Sequence, residues 1–250
     1  MIRSRRRLVA VVAAGVLALA TWGCAPQPVA PPAQEPSPVG PAYARVADVP
    51  QQLAADGTTI LVGDPKASLT LHLYEDPRCP YCKEFEVVES GRSLRTMTLR
   101  REVKTEYTMA SFLDDRIGGS GSKKAVNALR AALEAGKFAE YHAVLYENQP
   151  EESVDGYTDA FLLEMAARVS GLRSTEFDSA VTTMKYADFV TRSQQAYEKA
   201  GGPENPRGPG TPSAGINGSP VRPELSGVLY NRLAFEALIK EIRRNPQRWR

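Results

Sequence analysis

Cys79-Pro80-Tyr81-Cys82 stands within five residues of the end of an apolar run, Leu69 to Tyr74, that reads as a buried strand. Asp76-Pro77 ends that strand. Pro80 then sits where a first helical turn tolerates proline best, because the N–H it lacks would be unbonded there anyway. The chain must therefore fold as a strand that turns directly into a helix opening on two cysteines. At spacing i, i+3 both thiols share one helix face and can close a small disulfide ring. Cys79, ahead of the first turn, faces unbonded N–H groups and the positive end of the helix dipole. With Arg78 beside it as a further cation, these favour a thiolate. A thiol of low pKa leaves readily from a disulfide and stabilises the reduced form, so its disulfide is oxidising. Cys82, one turn in, is the less exposed partner and can resolve a mixed disulfide. The alternatives are a static disulfide or half a metal site. A three-residue step is unusual for a structural bridge. The chain has three cysteines in all, too few for a cage of four thiolates, so no metal and no cofactor is assigned.

The third cysteine, Cys24, closes a leader. Arg3, Arg5, Arg6 and Arg7 form a positive region, followed by an uncharged apolar run from Leu8 to Trp22. That run is short for a spanning helix, which needs about 20 residues, and suits a signal peptide. Thr21-Trp22-Gly23-Cys24 resembles a bacterial lipobox, in which the Cys is lipidated and becomes the first residue. Gly23 and Cys24 fit the pattern, while Thr21 and Trp22 depart from it. An uncleaved membrane anchor is the alternative, and either way the folded part faces outward. Ser4-Arg5-Arg6 also resembles a twin-arginine signal, which leaves the export route open. From Ala25 to Pro41 there are seven prolines in 17 residues. This composition favours polyproline II and makes a semi-rigid tether that reaches up to ~50 Å at ~3.1 Å per residue. The expected organisation is a signal peptide over 1–23, a tether over 24–47 and a folded domain over 48–250. The chain carries 31 Lys and Arg against 29 Asp and Glu; without the four leader arginines it is slightly acidic. No basic field remains to hold nucleic acid.

About 200 residues follow the tether, enough for one domain with a real core. Thr58–Val62 is β-prone. A helix is expected from Pro80 to about Met97, with Phe85, Val87 and Val88 facing inward. Val103, Thr105, Tyr107 and Met109 alternate with polar neighbours as a strand does. Gly118-Gly119-Ser120-Gly121 breaks that pattern, and largely helical sequence follows. The first helix is expected to be capped by Ser122, a second carries Phe138, Tyr141, His142 and Leu145, a third covers Thr158–Val169 and a fourth Ser174–Lys199. A Pro/Gly-rich loop runs to Gly210, then a short strand pair from Pro212 to about Leu229. A last helix, led by Ser226 or Asn231, carries Phe235, Leu238, Ile239 and Ile242. The order is β-β-α-β, a helical block, then β-β-α, a mixed α/β class.

The segment from Leu69 to Lys83 resembles the strand and active-site helix of thioredoxin-like proteins. The helical block and Gly210-Thr211-Pro212 with Asn217-Gly218 make the stretch from about Leu53 to Ile242 similar to the DsbA-type branch. The resemblance implies a thioredoxin-like fold, with a mixed sheet and an inserted helical subdomain at about 120–202. It implies a thiol–disulfide oxidoreductase of the cell envelope that oxidises cysteines of exported proteins through a Cys79–Cys82 redox disulfide. Pro80 and Tyr81 would modulate the site. Thr211–Pro212 would be a cis peptide against the cysteines, with the Thr211 backbone pairing with substrate in strand fashion. The expected partners are cysteine-containing exported proteins, a membrane redox partner that recycles the disulfide, and the membrane through a lipid on Cys24. A reductase or isomerase, or a non-catalytic module holding a partner or Cu(I), are the alternatives. There is one departure. Thioredoxin-like proteins often bury a carboxylate six residues before the first cysteine, and here that position is Leu73. His72, Glu75 and Asp76 are nearby, and none is assigned as a proton relay. His72 and His142 are read as packed, hydrogen-bonded residues.

Overall fold

Side-chain parity sets the sheet. In β3 (Leu69–Glu75) Leu69, Leu71, Leu73 and Glu75 are buried, while Thr70, His72 and Tyr74 are half-buried, the alternation of a strand with two unlike faces. β4 (Val103–Met109) repeats it through Val103, Thr105, Tyr107 and Met109. The two strands pair in parallel, from Leu69 opposite Val103 to Glu75 opposite Met109, so a crossover must join them. The helical segment between Pro80 and Leu99 supplies it. The computed structural model describes residues 40–88 and 90–249. The expected signal peptide, Cys24 and the tether up to residue 39 lie outside the described residues. No helix among the described residues is long and apolar enough to cross a membrane.

β2 (Ile60–Val62) lies antiparallel on the free edge of β4, and β1 (Gln51–Leu53) pairs beyond it. On the other side of β3 come β5 (Ser213–Ile216) and β6 (Ser219–Pro220), both antiparallel. The sheet order is β1-β2-β4-β3-β5-β6. β1 has no alternation of its own and exists through its pairing with β2. The strand pair expected from Pro212 to Leu229 is shorter, because a 3-10 segment takes over at Pro223–Tyr230. The chain docks on the domain from Tyr43 rather than residue 48. Its N–H donates to the Leu99 carbonyl at 2.8 Å, and the Arg101 guanidinium lies 5.0 Å from its ring.

The crossover is not the uniform helix expected. α1 (Pro80–Lys83) runs into a π turn (Glu84–Val88), and α2 (Ser90–Leu99) follows. The wider turn shifts the inner face. Phe85 and Glu86 are buried, and Val88, expected inside, is 58% exposed. A Cβ on Gly91 would lie 2.7 Å from the Glu86 Cα, so only glycine lets the chain close behind that turn. α9 (Arg232–Arg244) packs beside α2, with Phe235 edge-on to Phe85 at 6.1 Å. Asn231 caps it, accepting the Ala234 N–H at 3.0 Å.

Between β4 and β5 stand α3 (Phe112–Ile117), α4 (Gly121–Glu134), α5 (Phe138–Glu147), α6 (Asp159–Ala166), α7 (Thr175–Thr182) and α8 (Ala187–Ala200). The helical block thus begins one helix before residue 120. The expected fourth helix is two, because Met184 adopts a left-handed φ of 51° between α7 and α8. Ser122 does not cap α4. Its N–H and that of Lys123 donate to the Asp114 carboxylate at 2.9 and 2.8 Å, so a residue of α3 does the capping.

Asp114 also receives the Arg78 guanidinium at 2.9 Å, with both side chains buried. Removing one member of a buried pair leaves the other charged and desolvated. Asp114→Ala should therefore lower unfolding stability by about 3–5 kcal/mol in urea titration. Asp115→Ala, which deletes the exposed Lys123–Asp115 pair, should cost less than about 1 kcal/mol. Equal losses would contradict this account.

Candidate active site

The turn from strand to helix is built by Asp76, one residue beyond β3. Its side chain accepts the Arg78 N–H at 3.0 Å and its carbonyl accepts the Cys79 N–H at 2.9 Å, an Asx turn inside a β-turn. The rest of the carboxylate is satisfied by the Ser122 hydroxyl at 2.6 Å and the Leu113 N–H at 3.1 Å. Burial nevertheless pushes its pKa up to about 7. The helical block holds the turn from the other side. Gln149 Nε2 donates to the carbonyls of Pro77 and Cys79 at 2.7 and 2.9 Å, and Tyr157 donates to the Pro77 carbonyl at 3.0 Å.

Arg78 was expected to support the Cys79 thiolate as a neighbouring cation. It turns away instead. Its guanidinium is buried against Asp114, the Gly118 carbonyl and the Glu152 carbonyl, at 2.8–2.9 Å. Its service is mechanical, tying the active-site turn to α3 and the loop before α6.

Cys79 is the N-cap of α1, and both cysteines are free thiols. Cys79 keeps 5% exposure and Cys82 none. The Cys79 pKa is lowered to about 6, first by the Cys82 thiol donating to its sulfur; burial opposes this, and the Thr211 side chain and the N–H groups of Cys82 and Tyr81 add to the lowering. Cys82 goes the other way, pushed well above the ordinary thiol range by burial and then by Cys79. One pair thus holds a ready thiolate and a reluctant thiol.

Thr211–Pro212 is cis, and as a thiol Cys79 donates to the Thr211 carbonyl at 3.3 Å. Tyr197 of α8 holds the preceding loop. Its hydroxyl accepts the Gly210 N–H at 3.1 Å, and a Cβ on Gly208 would lie 2.2 Å from its ring. A groove of about 740 Å³ opens over Cys79, walled by Tyr81, Phe112, Tyr197 and Thr211. Tyr81 is 60% exposed, edge-on to Tyr230 at 6.3 Å.

The structure therefore brings Cys79, Pro80, Tyr81, Cys82, Thr211 and Pro212 together, and Cys24 lies outside the described residues. Sequence reasoning missed Gln149, Tyr157 and Tyr197, which reach the site from the helical block. It also left the buried acid unassigned. Glu75 is fully buried, its Oε2 is 2.9 Å from His142 Nε2, and burial pushes its pKa up to about 8. His72 is hydrogen-bonded to Thr108 Oγ1 at 2.9 Å and stacked on Tyr74, as expected of it. The signal for Glu75 was its parity, continuing Leu69, Leu71 and Leu73.

The two thiols should separate by pH. Alkylation of Cys79 by iodoacetamide should rise through an inflection near pH 6, and Cys82 should show none below pH 9. A single shared inflection, read by peptide mass spectrometry, would contradict the assignment.

Comparison with known proteins places this geometry. The thioredoxin family model matches residues 55–226, which hold both the cysteine pair and the Thr211–Pro212 loop. BdbD from Bacillus subtilis shares the fold at a TM-score of 0.61 and 17% identity, over 82% of this chain and 99% of that one. DsbA from Mycobacterium tuberculosis gives 0.58 and 24%, over 78% and 93%. The disulfide bond oxidoreductase DsbG from Mycobacterium tuberculosis gives 0.57 and 25%, over 80% and 89%. No curated protein sequence matches the chain. With more than half of its length matched by the family model, the chain belongs to the thioredoxin family.

Proposed function

We propose that this chain is an exported thiol–disulfide oxidoreductase that donates a Cys79–Cys82 disulfide to cysteine-containing proteins outside the cytoplasm. The observation that carries the reading is the asymmetry of the pair: Cys79 is lowered to about 6 and borders an open groove, while Cys82 is raised and has no exposure. A substrate thiolate attacks Cys79 Sγ, the Cys79–Cys82 bond breaks, and the electron pair leaves on Cys82, which takes up a proton. A second substrate thiolate then attacks the substrate sulfur of the mixed disulfide, and Cys79 departs as a stabilised thiolate. Glu75, buried and close enough to raise the Cys82 pKa further, is the acid that supplies the Cys82 proton. The groove wall at Thr211 offers backbone to an extended substrate segment, a strand-like mode of capture. Pro212 has no N–H to compete for the Cys79 sulfur, and Pro80 and Tyr81 shape the edge of the site. A membrane redox partner restores the disulfide, and a lipid on Cys24 with the proline-rich tether holds the domain at the envelope.

Trapping tests the reading. Cys82→Ala should accumulate mixed disulfides with exported proteins through Cys79, detected on non-reducing gels and by mass spectrometry, whereas Cys79→Ala should accumulate few. Equal trapping by the two variants would contradict the roles. Cys24→Ser should release the chain from the detergent-extractable membrane fraction, and an unmodified Cys24 on a mature membrane-bound chain would rule out the lipid.

A further inference from the structure

A groove of about 510 Å³ runs between α2 and α9, and the thiol chemistry makes no use of it. Arg92 and Arg100 of α2 and Arg232 and Lys240 of α9 line it, all four exposed. Arg243 adds a fifth cation, against the two carboxylates of Glu102 and Glu236. The lining therefore carries a formal net charge of +3. The chain without its leader arginines is slightly acidic, so this excess is local.

Both acids are engaged within the groove. Glu236 accepts the Ser93 hydroxyl at 2.6 Å and the Arg232 guanidinium at 3.3 Å. Glu102, just beyond α2, accepts Arg243 at 2.9 Å. These contacts fix the geometry as well. Ser93 meets Glu236 near the starts of the two helices and Glu102 meets Arg243 at their ends, so α2 and α9 run in the same direction. Arg92 to Arg100 on one rim and Arg232 to Lys240 on the other each cover about 12 Å of helix, at ~1.5 Å per residue. Cations spread over such an area suit a plane of anions. A single small anion would need donors that converge on one point, and the most deeply placed cation, Arg243, is turned to Glu102.

The N-terminal approach to the domain passes beside the same groove. Arg101 Nη1 is 3.5 Å from the Pro41 carbonyl, and a Cβ on Gly40 would lie 2.5 Å from that nitrogen. The first described residues therefore lie against the neighbour of Arg100, one residue from the groove's rim. Gly40 follows Cys24 by 16 positions, a stretch of chain that spans at most about 55 Å. A membrane attachment at Cys24 keeps the groove within that distance of lipid and makes any contact with the bilayer intramolecular, at an effective concentration in roughly the millimolar range. Few contacts are then needed, since each Lys or Arg at an anionic leaflet strengthens attachment about fivefold. The substrate groove is walled by α3, α8 and the Thr211 loop, and shares no lining residue with this one.

We propose that the groove between α2 and α9 is a docking face for an anionic phospholipid surface, which seats the domain on the bilayer and leaves the groove over Cys79 open to exported proteins. The proposal rests on the envelope reading and is independent of the thiol chemistry. Lipid phosphates pair with Arg92, Arg100, Arg232 and Lys240 along the two rims. The contacts are exposed and electrostatic, so salt weakens them. Docking is therefore reversible, and release onto the tether lets the domain turn toward a membrane redox partner.

Arginine footprinting of the full chain tests the face. The protein is reconstituted into vesicles of phosphatidylcholine, alone or mixed in equal parts with phosphatidylglycerol, floated, and labelled with phenylglyoxal before peptide mass spectrometry. In the mixed vesicles Arg92 and Arg100 should react at least about fivefold more slowly than in the neutral ones, while Arg192, exposed on α8, keeps its rate. Salt at about 1 M, where the Debye length is about 3 Å, should abolish the difference. Arg232→Gln/Lys240→Gln should weaken docking about 25-fold, two charges at about fivefold each, with the disulfide-exchange rate of Cys79 unchanged. Should that variant fail to fold, the wild-type dependence on lipid and salt decides. A chain that floats with both vesicles and shows equal labelling in the two overturns the docking face and leaves the anchor standing. A chain that floats only with the mixed vesicles, with Arg92 and Arg100 protected, supports the face and contradicts the anchor, and one that floats with neither overturns both. Equal slowing of Arg192, or equal protection of Arg92 and Arg100 by inorganic phosphate without vesicles, would also overturn the proposal.

Discussion

The four-residue turn from Asp76 to Cys79 is the constraint on which the site depends. It carries the chain from a parallel strand into a helix while leaving one sulfur facing the donors of the first helical turn. Such a turn exposes backbone groups that must find partners. Here they are met by the Asp76 carboxylate within the turn and by Gln149 and Tyr157 from the helical block. Arg78 adds an anchor with its guanidinium buried among one carboxylate and two carbonyls. The helical block therefore forms the far wall of the cysteine site, and Tyr197 extends that wall to the Thr211–Pro212 loop.

This arrangement divides labour between two sulfurs three residues apart. Cys79 collects hydrogen bonds and loses its proton readily; Cys82 lies deeper and keeps it. Burial alone raises a thiol, so the low value at Cys79 is set by the donors around it. Placing the second sulfur out of water creates the need for a buried acid, and in the proposed mechanism Glu75, fully buried and close enough to raise the Cys82 pKa, is that acid.

Much of this was legible in the residues. The alternation in Leu69–Glu75 and Val103–Met109 defined both central strands and their faces, and Pro80 marked the helix start. The Thr211–Pro212 loop could be placed only by resemblance, since nothing in the local sequence says what packs against it. The misreadings share a cause. Arg78 beside Cys79 in sequence suggested a supporting cation, but a long side chain can reach a distant partner, and Asp114 lies 36 residues away. Val88 read as core because the helix was taken to keep a period of 3.6, and a single π turn shifts that phase by one residue. Glu86 entered the core by the same shift, so its burial was invisible to periodicity. Glu75 was visible in parity, but its partner His142 comes from α5, and no local pattern joins the two.

The central claim is that the hydrogen bonds at Cys79 stabilise the reduced pair and make its disulfide an oxidant. Equilibration of the Cys79–Cys82 couple against glutathione buffers at pH 7, read by differential alkylation and mass, tests it most directly. The account predicts a potential at or above about −200 mV, on the oxidising side of the glutaredoxin range. A value near about −270 mV, that of a thioredoxin, would contradict it.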